Sequence, residues 1–110
     1  MNYQHRSLAA GRWHSLSLIE QLANIGSEVE RALNWRQKGN PEYSQKALER
    51  ALELIDLTLA DPRHLNRLKE ITRLQEALLD YFLGENLFQS NEKLWRKYFY
   101  AFAYAARSKK

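Results

Sequence analysis

At 110 residues the chain is long enough for one domain with a real core and too short for two. With 45% apolar and 27% charged residues it has the composition of a globular fold, not of a disordered segment, and its lack of cysteine excludes disulfides, thiolate metal sites and cysteine nucleophiles. No apolar run approaches the roughly eighteen residues of a membrane span and no signal-peptide pattern opens the chain, so a cytoplasmic protein with no membrane contact is expected.

The formal charge of +4 is unevenly spread. From Lys93 onward there are six basic residues and no acid, which leaves eleven basic and thirteen acidic groups before it. The positive field therefore belongs to the C-terminal segment.

Read in chain order, residues 1–12 form an N-terminal arm or an extra helical turn, and residues 13–110 form an all-α domain. The first helix spans roughly 14–38. Ser17-Leu18-Ile19-Glu20 is a capping box, Leu18, Leu22, Ile25, Val29, Ala32 and Leu33 recur at helical spacing, and Gly39 supplies the stop. Gly26 inside this helix costs about 1 kcal/mol against alanine, so close approach of a neighbouring helix is expected there. Asn24, Glu28, Arg31 and Trp35 form a polar stripe beside the apolar face, with Glu28 pairing to Arg31 and Arg31 stacking on Trp35; it is a candidate partner or oligomer contact.

Asn40-Pro41-Glu42 combines an N-cap, a first-turn proline and an acid suited to the helix dipole, and it starts a second helix over 41–60. Asp61-Pro62 repeats the signal and starts a third over 62–83, making a tight helical hairpin. The third helix is expected to bury Leu65, Leu68, Ile71, Leu78, Leu79 and Phe82. Gln75 falls in the middle of that arc and is read as a buried polar residue that must find a partner within the bundle. Arg63 and Arg67 lie in the N-terminal half, where the dipole disfavours cations. Pairing with Glu53 and Asp56 of the second helix explains them, as does a basic surface continuous with the fourth helix.

Ser90 is the expected cap of a fourth helix over 91–108, with Leu94, Trp95, Tyr98, Phe99, Phe102, Ala105 and Ala106 facing inward. Short connections between four amphipathic helices point to an up-down four-helix bundle. On the opposite side of the fourth helix Lys93, Arg96, Lys97, Tyr100, Tyr104 and Arg107 fall within about 100° of arc. Basic groups track a phosphate backbone and exposed tyrosines stack on unpaired bases, so this face reads as a site for RNA or another nucleic acid.

Nothing in the chain marks an enzyme. There is no Glu-x-x-His pair, no His-x-x-x-His and no glycine-rich phosphate loop. Glu49, Glu53 and Asp56 share a helix face without ligating histidines, so no metal site or cofactor is expected. The arginine-to-histidine spacing of four to six residues expected of small helical HEPN-type ribonucleases is also absent, since seven residues separate Arg6 from His14.

Ala23-Asn24-Ile25-Gly26-Ser27-Glu28, followed by Arg31, resembles the Ala-Asn-Ile-Ala-Glu-Gly segment of the four-helix-bundle proteins encoded in 23S rRNA intervening sequences, whose structural relatives are the accessory proteins of diversity-generating retroelements. That resemblance implies a small oligomeric bundle that binds RNA or a nucleic-acid-handling enzyme. Two readings result. One is a non-enzymatic nucleic-acid-binding accessory module; the other is a protein-interaction or oligomerisation bundle, either a homo-oligomer or an antitoxin-like partner in a two-gene system.

Overall fold

The computed structural model describes residues 11–108. Among them are four long helices, α1 (Leu18–Gln37), α2 (Pro41–Leu59), α3 (Leu68–Leu83) and α4 (Glu92–Ser108), with a 3-10 turn at Pro62–Arg67 and no strand. The arm expected at 1–12 falls almost wholly outside the described residues.

Local chemistry sets most of the boundaries. The Ser17 hydroxyl accepts the Glu20 N–H while the Glu20 carboxylate accepts the Ser17 N–H, closing the capping box. That cap starts α1 at Leu18, later than the expected residue 14; residues 11–13 are helical and 14–16 form a turn after them, in which the Ser15 and Leu16 N–H groups donate to the Arg12 and Trp13 carbonyls. Gly39 takes the left-handed conformation (φ 78°) that ends the helix, and Asn40 caps α2 through the Tyr43 N–H.

The helix expected to run unbroken over 62–83 is interrupted. Asp61 caps it as anticipated, but His64 leaves helical geometry (φ −108°, ψ 25°), and regular α-helix begins only at Leu68. The His64 ring turns into a buried polar corner, and the local backbone follows it. Ser90 is likewise not the cap of α4: the Asn91 side chain accepts the Leu94 N–H, while the Ser90 hydroxyl accepts the Trp95 indole N–H.

The core is built around α1. Ile25, Val29 and Leu33 are almost fully buried, as are Ala51 and Ile55 of α2 and Leu78 of α3. The α1 helix packs against both α2 and α4, and α2 against α3, whereas α3 and α4 scarcely meet at backbone level. Gly26 has the reason that its position demanded. A Cβ there would stand 2.7 Å from the Phe99 Cβ, so only a hydrogen lets α4 lie this close.

This arrangement corrects the expected inner faces. Leu65, Leu79 and Leu94, expected inward, are 69%, 37% and 52% exposed. Leu65 sits in the 3-10 turn, whose three-residue period carries it out of phase with α3. Leu94 is outside because α4 faces α1 through Trp95 and Phe99 and leaves its α3 side open. Leu74, not expected in the core, is buried.

Candidate functional site

The α4 helix presents two exposed rows, one on each side of the exposed Ala101 and both away from the buried Trp95 and Phe99. Lys93, Lys97, Tyr100, Tyr104 and Arg107 are all exposed and follow one another at intervals of four, three, four and three residues. At 1.5 Å rise per residue they make a nearly straight row about 21 Å long. Tyr100 and Tyr104 are 64% and 61% exposed. Among the described residues no carboxylate lies within ion-pair reach of Lys93, Lys97 or Arg107.

Arg96 was expected in the same row and is used differently. Its guanidinium lies between α4 and α1, donating to both Glu30 carboxylate oxygens at 3.0 and 3.1 Å, to Glu92 at 3.4 Å and to Asn34 Oδ1 at 2.8 Å. Burial works against its charge, but hydrogen bonds and attraction from Glu30 and Glu92 prevail and raise its pKa. Arg96 therefore clamps two helices, and a phosphate would have to displace Glu30 and Glu92 to reach it.

The stripe proposed on α1 divides. Asn24 donates to the Glu20 carbonyl, and Glu28 pairs with Arg31 at 2.8 Å as expected. Trp35, however, packs edge-on against Tyr43 of α2, with centroids 4.9 Å apart, and the Lys38 ammonium lies over its ring. Arg31 goes the other way, into a groove of about 480 Å³ between α1 and α4. Gly26 and Phe99 line that groove together with Ala23, Ser27, Tyr100 and Ala103. Tertiary structure thus adds a cation from α1 to the edge of the α4 row.

Arg63 and Arg67 do not extend this surface. Arg63 makes a multiple contact with the buried Asp61 through Nε and Nη2, the shortest at 2.6 Å, and Nη2 also donates to the Leu16 carbonyl at 2.7 Å. The Arg63 hydrogen bonds are the main reason the Asp61 carboxyl is held far below the usual range. Arg67 pairs with Glu70 and lines the far side of α4, beside Tyr98 and Phe102. Neither arginine pairs with Glu53 or Asp56 as anticipated; both find carboxylates near in sequence.

Gln75 is not the buried polar residue. It is half-buried and donates to Asp56 at 3.1 Å near the surface, because α3 turns its Ile71, Leu74 and Leu78 face inward and leaves Gln75 at the seam with α2. The buried amide is Gln21, which is fully enclosed. Its nitrogen donates to the Trp13 carbonyl and to Asp61, and its oxygen lies 2.8 Å from His64 Nε2. Trp13 in turn donates to Thr58, and His14 meets the Leu57 carbonyl. This corner ties the chain before α1 to the end of α2. Its sequence signal was the four-residue spacing of Gln21 to Ile25 and Val29, which puts it in the core row.

The second exposed row of α4 is apolar. Leu94 and Tyr98 wall a groove of about 610 Å³ against Arg73 and Ala77 of α3, with Leu74 and Trp95 also lining it. Burial, with a lesser contribution from Glu70, raises the pKa of Tyr98. In the loop between α3 and α4, Leu87 and Phe88 are exposed, and their backbone N–H groups both donate to the Asp80 carboxylate.

Among the described residues no three His, Asp or Glu side chains converge as a metal site would require. No helix among them is long and apolar enough to cross a membrane. No protein-family model, no curated protein and no solved structure matches this chain.

Proposed function

We propose that the protein is a non-enzymatic nucleic-acid-binding accessory module, an up-down four-helix bundle whose outer α4 row contacts RNA. The observation that carries this reading is the make-up of that row. Lys93, Lys97 and Arg107 have no carboxylate within 4 Å among the described residues and alternate along one line with two exposed tyrosines, whereas Arg96 beside them is tied to Glu30 and Glu92. A row of unpaired cations about 21 Å long suits successive phosphates of one strand, and tyrosine faces suit unpaired bases.

Binding of single-stranded RNA across a salt series tests it. Three phosphate contacts give a slope of about −2 in log K against log salt. The combined change Lys93→Glu, Lys97→Glu and Arg107→Glu abolishes binding; a flat salt response, or undiminished affinity of that variant, overturns the proposal.

The apolar α3–α4 groove favours a second reading, a protein-interaction or oligomerisation bundle. Exposed Leu94, Tyr98, Leu87 and Phe88 are its motive. Light scattering decides: association lost on Leu94→Glu supports it, and a strict monomer at high concentration removes self-association.

A further inference from the structure

We infer that the α1–α4 groove is a nucleobase subsite, in which Tyr100 stacks on one unpaired base and Arg31 contacts its neighbouring phosphate. This rests on the nucleic-acid reading of α4 and gives it a position and a ligand class.

The contacts Gly26–Phe99 and Glu30–Arg96 show that α1 and α4 run antiparallel. The groove walls are therefore two opposed rows, Ala23-Ser27-Arg31 on α1 and Ala103-Tyr100-Arg96 on α4. Three of these six positions carry small side chains. The close crossing at Gly26 brings the helices together, and beyond it Ala23, Ser27 and Ala103 keep the walls low. Tyr100, 64% exposed, consequently stands at the edge of a groove with low walls, which fits a flat guest. A peptide side chain would find little there to enclose it.

Charge selects among flat guests. The Arg31 side chain is 60% exposed and only its Nη1 is engaged, with the largely buried Glu28 at 2.8 Å, so the remaining guanidinium donors are open to a phosphate while that pair stays intact. Lys97 lies one turn before Tyr100 in the α4 row, on the strand's path away from the groove. Ser27 spends its hydroxyl hydrogen on the Ala23 carbonyl, leaving oxygen lone pairs to accept from a base edge. Aromatic stacking of this kind is tolerant of base identity, so the subsite selects unpaired over paired bases and not one base over another.

The experiment uses a single-stranded RNA carrying one fluorescent 2-aminopurine and the same RNA as a duplex. Wild-type protein quenches the fluorescence of the single strand on binding. Tyr100→Ala and the groove-filling Ser27→Leu each remove the quench and weaken single-strand binding roughly five-fold or more, the scale of one lost stack. Tyr100→Phe retains both, because stacking needs the ring and not the hydroxyl. Duplex affinity stays within two-fold in every variant. Thermal melting identifies a variant that has failed to fold, and Ala103→Leu, which fills the groove from the other wall, then takes its place. Full quench and affinity in a folded groove-filled variant overturns the subsite while leaving the α4 row standing. Wild-type protein with no salt-dependent RNA binding overturns both.

Discussion

The corner around Asp61 and the outer row of α4 use the same kinds of side chain to opposite ends. At the corner Arg63, His64 and Gln21 converge on one buried carboxylate, and the Trp13 and Leu16 carbonyls take remaining donors. No buried side-chain nitrogen or oxygen among the described residues lacks a partner. In the outer row of α4, Lys93, Lys97 and Arg107 stand in solvent without carboxylates among the described residues. A buried charge that is fully paired holds elements together and has nothing left to offer a ligand; an exposed, unpaired one contributes little to the fold and is available.

The largest expected effect lies at the corner. Asp61→Ala removes the carboxylate on which Arg63, Gln21 and His64 converge and the cap of the 3-10 turn, costing about 1.5–3 kcal/mol in urea unfolding. Because the folded carboxyl is held below its ordinary value, its contribution is present at neutral pH and is lost as pH falls below about 4. Asp61→Asn should flatten that acid limb of the stability profile. Equal acid sensitivity in the variant would show that other carboxylates set it.

Gly26→Ala comes next and probes the contact that joins the two regions. Its Cβ meets Phe99 at the Cβ and ring root, where the side chain cannot swing aside, so overpacking of about 1–3 kcal/mol outweighs the helix-propensity gain. A neutral or stabilising result would mean that α4 shifts freely on α1. The smallest effect on folding belongs to the α4 row: Lys93→Glu with Lys97→Glu should leave the urea midpoint unchanged while removing salt-dependent RNA binding. A large loss of stability there would erase the contrast between the two regions.

How much of this was legible in the sequence differs by element. The Asn40-Pro41 start, the Ser17 capping box and the Gly39 stop are local chemistry, and each appears where the residues put it; the Asp61 cap also forms, but it opens a 3-10 turn and not the expected α-helix. The demand for a close neighbour at Gly26 was also readable, though not that Phe99 would supply it. Gln75 was misplaced and Gln21 overlooked because helical periodicity gives a residue's angle on its own helix but not the direction in which that helix faces. Arg96 shows the same limit. It lies with Lys93 and Lys97 by angle, yet Glu30 is sixty-six positions away and only folding brings it within reach.

The sequence by itself determined the all-helical class, the principal caps and stops, and the basic, aromatic character of α4, because these depend on neighbours within a few residues. Tertiary structure decided which cations are free. It drew Arg96 into ion pairs that join α4 to α1, placed Arg31 at the groove beside Tyr100, and left the α3 side of α4 open, since each outcome depends on how helices pack across the fold.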